Sequence, residues 1–321
     1  MRVRNVLSLF DGISCGQVAL KRAGIQYDKY YASEIDKNCI KVTQKRHPNT
    51  IQLGNVVDID IKRLPKIDLI LAGSPCQGFS VAGTGLNFDH PQSKLFFDFV
   101  RILGEVKPKY FLLENVKMKK EWENVITKFV GVSPIEINSS LVSAQHRRRL
   151  YWTNIPNVEQ PKDLQIFLKN IEEPSQTGIF IDHTVKKIPN HVLKNGREVE
   201  FSKTNNKPYS FLEGRTEFGK AERRRLKKLY GRDTTPRNSN TKGYFPSNEG
   251  KGNCLVTSTT MLDYILDSNS YFRELTSLEK TRLQTLPDDY FKDTGLSSRQ
   301  IHRALGNGWT VNVISHILSY I

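Results

Sequence analysis

The first half of the chain alternates short apolar runs with amphipathic stretches of helical period. Residues 5–10 (NVLSLF) make a continuous apolar run of strand length, and 16–23 carry a helical pattern that Gly24 closes from the C′ position. Strand-like runs recur at 29–35, 50–54, 68–73, 109–115, 133–140 and 148–155. Between them Asp36 can cap a helix running toward His47-Pro48, and helical patterns cover 93–107 and 121–130. This alternation predicts βαβ units and hence an α/β fold with a doubly wound, mainly parallel sheet. Ligands of such sheets bind beyond the carboxyl ends of the strands, so the residues after each strand carry the chemistry.

The pattern changes near residue 157. From 159 to 271 periodicity weakens, while Gly, Asn, Ser, Thr and Lys multiply. A helical pattern returns at 273–286, and 298–321 reads as a second helical region interrupted by Gly306-Asn307-Gly308. This last piece is too short to stand alone. The expected organisation is a body of residues 1–158 plus 272–321, with a smaller, irregular domain of 159–271 between them.

Composition narrows the class. The chain has 321 residues, 38% hydrophobic and 10% aromatic, enough for a real core. No stretch approaches the roughly 18 apolar residues of a membrane span, and the N-terminus runs straight into an apolar strand rather than a leader. A soluble, cytoplasmic protein with no membrane partner is expected. The four cysteines, Cys15, Cys39, Cys76 and Cys254, form no CxxC pair, so neither a metal site nor a disulfide framework is expected. Lys and Arg number 48 against 33 Asp and Glu, a net charge of +15, which favours a polyanion partner, nucleic acid first. Charge alone does not choose among polyanions.

Candidate chemistry sits at the strand ends. Phe10-Asp11-Gly12-Ile13-Ser14-Cys15-Gly16 joins a strand to a helix, where glycines let backbone amides approach a ligand. Taken alone, it reads equally well as a structural turn. The next strand ends in Glu34, suited to ribose hydroxyls, and the third in Gly54-Asn55-Val56. Three polar strand ends on one edge suggest a nucleoside-containing cofactor. The sharpest element is Gly73-Ser74-Pro75-Cys76-Gln77, which sets a thiol at the reaction edge, where a nucleophile belongs. Glu114-Asn115-Val116 brings a carboxyl to the adjoining strand. A thiol and a carboxylic acid on neighbouring strands can attack an electron-poor ring and protonate it. In Gln145-His146-Arg147-Arg148-Arg149 strand alternation turns Arg147 and Arg149 to one side and Arg148 to the other. Two guanidinium groups imply an oxygen-rich or anionic substrate.

Together these segments resemble the cytosine-5 DNA methyltransferases. The resemblance rests on FDGISCG (10–16), SEID (33–36), GSPCQGFS (73–80), KLFFDF (94–99), LLENV (112–116), QHRRR (145–149), RELTSLEKTRLQTLPDDY (273–290) and LGNGWTV (305–311), in order and correctly spaced. It covers roughly residues 4–156 and 273–321. FDGI and GNGW resemble the animal de novo branch, and the length resembles a bacterial or phage enzyme. The resemblance implies a Rossmann-like, S-adenosylmethionine-dependent methyltransferase domain with a smaller target-recognition domain at 159–271. It implies S-adenosylmethionine as cofactor and cytosine in double-stranded DNA as substrate.

In that family's pattern Cys76 attacks C6 of a flipped cytosine, Glu114 binds its N3 and amine, Arg149 its O2, and Arg147 orients the cysteine. Phe10, Asp11, Gly12, Ile13 and Ser14 would meet the methionine and adenosine moieties, and Glu34 the ribose. Ile35 and Trp309 would flank adenine, with Val56, Leu95 and Asn307 lining the same pocket. Asn55 departs from the usual Asp at its position, which predicts weaker cofactor binding. Ser80, beside the cysteine in a Gly-rich segment (78–93), and Gln145 are expected at DNA. Arg237, Asn240 and Lys242 are candidate base readers, whereas Arg223, Arg224 and Arg225 on an expected helix suit phosphate. Two other readings stay open: the same fold acting on tRNA, and an inactive DNA-binding relative. The sizeable second domain favours duplex DNA, and the presence of Cys76, Glu114, Arg147 and Arg149 favours an active enzyme. A monomer is expected, with a cognate restriction endonuclease as a possible partner.

Overall fold

The computed structural model describes residues 2–74, 91–174, 178–180, 187–188, 199–200, 208–235, 242–257 and 263–321. Strand β1 (Arg2–Leu9) leads into helix α1 (Cys15–Arg22), and β2 (Gln26–Ser33) into α2 (Lys37–Arg46), capped by the Asp36 side chain as its sequence predicts. Then come β3 (Ile51–Gln52), β4 (Leu69–Gly73), α3 (Pro91–Val106), β5 (Tyr110–Val116), α4 (Lys120–Val130), β6 (Ile135–Asn138) and β7 (Arg148–Thr153). Among the described residues these strands form one sheet in the order β3-β2-β1-β4-β5-β7-β6. It is parallel except for β7, which runs antiparallel to β5 and β6. Successive strands leave β1 on opposite sides, so a crevice opens beyond its carboxyl end and that of β4.

Period-two alternation divides the core between the two faces of this sheet. Val6, Leu69, Leu71 and Leu112 point to one face, packed with α1 and the C-terminal residues Val311, Val313 and Ile314. Leu7, Leu9, Ile70 and Ala72 point to the other, against Phe96, Phe99 and Ile102 of α3 and Ile126 of α4. Both faces of the parallel strands are thus buried, which is why their sequences read as continuous apolar runs.

The region expected to be irregular contains a second sheet. Its strands are β8 (Ile179–Phe180), β9 (Lys187–Ile188), β10 (Val199–Glu200), β11 (Tyr209–Arg215), β12 (Lys242–Glu249), β13 (Tyr264–Leu266) and β14 (Tyr271–Glu274). Their order is β8-β14-β13-β11-β12-β10-β9 among the described residues. Strands of two to four residues are too short to show a period, and β11 and β12 carry Gly and Pro. Between these two, α5 (Glu217–Tyr230) runs from a Thr216 cap to a left-handed Gly231. Apart from Gly219 and Leu226 it buries little, and its basic side chains stay in solvent.

Two expectations near the C-terminus are corrected. The helical pattern at 273–286 is divided: Arg273 and Glu274 belong to β14, and α6 (Ser277–Leu283) starts only where Thr276 and Glu279 form a reciprocal capping box. Helix α7 (Ser298–Asn307) runs through Gly306, so the break before α8 (Val311–Leu318) falls at 308–310. Residues 250–257 return to the first body, where Gly252 N–H meets Ala144 O at 2.6 Å and His146 N–H meets Gly252 O at 2.8 Å. The Lys251 ammonium pins this return, donating to the carbonyls of Ser140 (2.6 Å), Ser143 (3.1 Å) and Ile166 (2.6 Å). No helix among the described residues is long and apolar enough to cross a membrane.

A buried cation joins the second sheet to α6. Arg273 Nε donates to Asp267 at 2.8 Å, and its two terminal nitrogens each reach a Glu279 oxygen at 2.7 Å. All three side chains are at most 4% exposed. Arg273→Met leaves two buried carboxylates without their counter-ion. Urea unfolding of this variant should show a loss of about 3–5 kcal/mol; a loss below about 1 kcal/mol would contradict the assignment.

Candidate active site

A cavity of about 300 Å³ opens at the carboxyl ends of β1, β2, β4 and β5. One end is built largely from backbone. After β1 the chain turns through Phe10, Gly12 and Ser14, all at positive φ (58°, 58° and 56°), a run that glycine eases at its centre. The turn is tied to the end of β2: Asp11 N–H donates to Ser33 O at 3.0 Å, and Gly12 N–H donates to Glu34 Oε2 at 2.8 Å. The other Glu34 oxygen accepts the N–H groups of Ile35 (2.7 Å) and Asp36 (2.8 Å). Four hydrogen bonds therefore lock the two strand ends. Ile35 follows with 71% of its surface exposed, an apolar face on the wall of a polar cavity.

Beneath this turn lies a buried polar cluster. The Asp11 carboxylate accepts from Tyr30 Oη at 2.8 Å and from the Ser14 hydroxyl. Gln17 joins Ser14 (3.2 Å) to Thr50 (2.8 Å) and accepts from Tyr27 (2.7 Å). Burial pushes the Asp11 carboxyl up to about 6 against the hydroxyl donors that lower it, and the charge of Glu34 adds to the rise.

The other end of the cavity carries charge. Ladder register sets Gly73 of β4 beside Glu114 of β5, and Val116 of β5 beside Arg149 of β7. Arg149 Nε lies 3.0 Å from Glu114 Oε1, with both side chains nearly buried. Asn115, 1% exposed, donates from Nδ2 to Ser74 Oγ at 3.0 Å and so holds the chain where it leaves β4. Arg147, 3% exposed, donates to the carbonyls of Leu255 (3.1 Å), Gly306 (3.3 Å) and Gly308 (2.9 Å). Arg148 turns the other way, to Glu136 on the surface, as strand alternation predicts.

Of the residues expected at the cofactor, Phe10, Gly12, Glu34, Ile35, Asn55, Val56, Leu95 and Asn307 line this cavity. Asp11, Ile13, Ser14 and Trp309 do not. Asp11 and Ser14 are spent on each other below the turn. Ile13 is 1% exposed, and its carbonyl accepts from Tyr290 Oη at 2.6 Å. Trp309 packs behind β4, where a Cβ added at Gly73 would come within 2.8 Å of its indole nitrogen. Glu114, Arg147 and Arg149 line the charged end. Cys76, Ser80, Arg237 and Asn240 lie outside the described residues, and Lys242 is described only as the first residue of β12.

Gln145 is corrected outright: it is fully buried, donates to Leu283 O (2.7 Å) and Gln284 Oε1 (3.0 Å), and accepts from Leu255 N–H (3.3 Å). An amide so committed is not available to DNA. Sequence reasoning missed Ser33, Asp36, Cys39, Ser74, Asn115 and Gly306 on the cavity wall. Gly306 had a legible signal as part of Gly-Asn-Gly; its missing side chain admits Val256, whose carbonyl oxygen would lie 2.4 Å from a Cβ there.

The family model described as C-5 cytosine-specific DNA methylase matches residues 4–321. Among curated proteins, the chain is 46% identical over 114 residues to the orphan methyltransferase M.Rho11sI of Bacillus phage rho11s, covering 35% of this chain and 23% of that one. It is 31% identical over 213 residues to the type II methyltransferase M.NgoBV of Neisseria gonorrhoeae, covering 58% and 50%. The matched stretches thus span half or less of these relatives. The Entamoeba histolytica methyltransferase EhMeth superposes with a TM-score of 0.66 at 17% identity, covering 100% of this chain and 98% of that one, a likeness of fold.

The raised Asp11 carboxyl has a measurable consequence. Folding holds its proton more tightly than the unfolded chain does, so this group favours the folded state below about pH 4, and that contribution is lost as pH rises through about 6. The size is about 3 kcal/mol at full effect. Asp11→Asn should flatten the fall in stability between pH 4 and 7, as measured by urea unfolding at each pH. An unchanged slope would mean that Asp11 titrates as an ordinary carboxylate.

Proposed function

We propose, from the premise that this chain belongs to the C-5 cytosine-specific DNA methylase family, that it methylates carbon 5 of a cytosine extruded from duplex DNA. The observation that carries the reading is the pairing of two unlike ends in one cavity: a nucleoside-shaped cradle at Phe10–Glu34–Asn55 and a charged Glu114–Arg149 pair. The family takes its methyl group from S-adenosylmethionine, which supplies an electrophilic methyl on sulfonium when bound. The residues present fit that group. Ile35 offers an exposed apolar face for a purine, Glu34 retains lone pairs for ribose hydroxyls, and the Gly12 turn lets backbone approach closely. Asn55 spends its side-chain oxygen on capping the turn at Val56–Asp58 (3.4 Å to Val57 N–H) and would turn its amide nitrogen to the cavity.

At the charged end, the thiolate of Cys76 would add to C6 of the cytosine. Glu114 would hold N3 and the exocyclic amine and stabilise the protonated ring as electron density moves to C5. Arg149, already fixed against Glu114, would bind O2. Carbon 5 would then take the methyl group, lose its proton to water, and expel the Cys76 thiolate, which restores the aromatic ring. A cytosine within a duplex cannot enter this cavity, so the base must be flipped, at a cost of a few kcal/mol. The basic residues of α5, Arg223, Arg224 and Arg225 among them, and the net charge of +15 suit the phosphate backbone.

The reading is tested by methyl transfer from labelled cofactor to DNA, with bisulfite sequencing to locate the product. Cys76→Ser should abolish transfer while DNA binding persists, and Glu114→Gln should lower kcat by about 10²-fold or more. Methylation persisting in Cys76→Ser would sink the mechanism, and transfer to tRNA in place of DNA would overturn the substrate. A separate outcome concerns Asn55. Asn55→Asp should tighten cofactor binding by calorimetry, because a carboxylate can both cap the turn and accept from the adenine amine; equal affinity would mean that the position does not touch adenine.

A further inference from the structure

Cys254 touches Arg147 and Arg149, which line the charged end of the cavity, and neither the family likeness nor the motifs give it a task. Its sulfur lies 3.4 Å from Arg147 Nη1 and 3.6 Å from Arg149 Nη2, while Arg149 Nε is 3.0 Å from Glu114. We propose that Cys254 is a positioning residue of this site: ionised, its sulfur gathers the two guanidinium groups and sets the angle at which Arg149 meets Glu114. The role in methyl transfer rests on the function proposed above; the coupling of sulfur to arginine does not.

Charge balance supports the assignment. Two guanidinium cations and one carboxylate leave the cluster with an excess positive charge, and among the described residues Arg147 has no carboxylate partner. A thiolate would neutralise the group. A neutral thiol could instead donate to Leu255 O at 3.4 Å, the carbonyl that also accepts from Arg147 Nη1 at 3.1 Å, but it would leave the excess positive charge unbalanced. Burial opposes ionisation, yet the attraction of Arg147 and Arg149 outweighs it and holds the thiol below its ordinary range. The buried Cys15 and Cys39 behave oppositely: burial pushes the Cys15 thiol up to about 12 and raises Cys39 as well. Cys254 alone of these three is partly exposed. The titratable and charged groups facing it are Arg147, Arg149 and the buried Tyr151 on β7 and its approach, and Glu114 on β5. Its place is set by the neighbouring chain: Gly252 is bonded to Ala144 and His146, and Gly306 admits Val256 against α7.

The experiment has two arms on the full-length chain. In the first, iodoacetamide alkylation of Cys254 is followed against pH by peptide-resolved mass spectrometry, which separates it from the other three cysteines. Its rate should reach half-maximum below the roughly 8.5 of a free thiol, and Arg147→Met or Arg149→Met should each slow it about tenfold at pH 7. A midpoint at or above the free-thiol value, unmoved by both arginine variants, overturns the proposal. In the second, Cys254→Ala and Cys254→Ser should each lower kcat for methyl transfer about tenfold, the loss of a charge-assisted contact, with cofactor affinity unchanged. Cys254→Asp, which restores an anion, should recover activity over both neutral variants. A serine variant with the parent kcat overturns the positioning role. If the parent protein itself transfers no methyl to DNA, the function proposed above fails, and the alkylation arm still decides whether sulfur and arginines are coupled.

Discussion

Arg147 is the interaction on which the site depends. Its guanidinium is almost wholly buried, yet it forms no ion pair with a carboxylate among the described residues; it spends its donors on backbone carbonyls from two distant parts of the chain. Leu255 belongs to the segment that returns from the second sheet, and Gly306 and Gly308 mark the end of α7. A backbone carbonyl at a helix end has no partner within the helix, so a cation placed there satisfies both the orphan acceptors and the end of the helix dipole. The result is a fixed corner where β7, the return segment and α7 meet. Arg149, two residues further on and within β7, inherits its position from that corner and reaches Glu114 on the next strand.

The same logic explains which parts of the fold were legible. Parallel strands buried on both faces, such as Leu69–Gly73 with its run LILAG, advertise themselves as apolar runs, and Asp36 or the Thr276–Glu279 box marks a helix start in a few residues. Residues at strand ends could be expected on one cavity wall for this reason, and Glu34, Glu114 and the alternating Arg147 and Arg149 line it. Strand pairing in the second sheet was not legible, because β8, β9 and β10 each offer two residues and owe their extended form to neighbours far away in sequence. Arg273 illustrates the conflict: the helical period of 273–286 includes it, but two buried carboxylates hold it in a strand. Gln145 misled for a related reason. A polar residue beside a basic run suggests solvent or nucleic acid, and only the tertiary packing of Leu255 and Leu283 reveals that its amide is consumed in the interior.

Cys254 marks the limit of sequence reasoning. An isolated cysteine is most often a small buried hydrophobe, and Cys15 and Cys39 behave so. Nothing local to Cys254 distinguishes it from them. What differs is the return of residues 250–257 to the body, held by Lys251 on three carbonyls and by the pairing of Gly252. Those contacts link positions more than 80 residues apart, so no window of sequence contains them. Chemistry at that sulfur is a property of the folded chain.

The two ends of the cavity are built from different materials, and this division bears on how they work together. The cradle at Gly12 and Glu34 is satisfied internally before any ligand binds, through backbone N–H groups on a carboxylate, so it keeps its shape without a partner. The Glu114–Arg149 end is electrostatic, and its strength grows as water is excluded. In the proposed reaction a rigid cradle would fix where a bound group's reactive carbon stands, while the charged end would fix the ring that meets it. Holding two reactants at such a contact distance removes a large entropic part of the barrier. Gly73 and Ser74 connect the two ends through β4, and Trp309 packed on Gly73 keeps that strand from shifting. On the proposed function, the distance between methyl donor and acceptor would be set by the sheet itself, and the surrounding segments would need only to deliver the base.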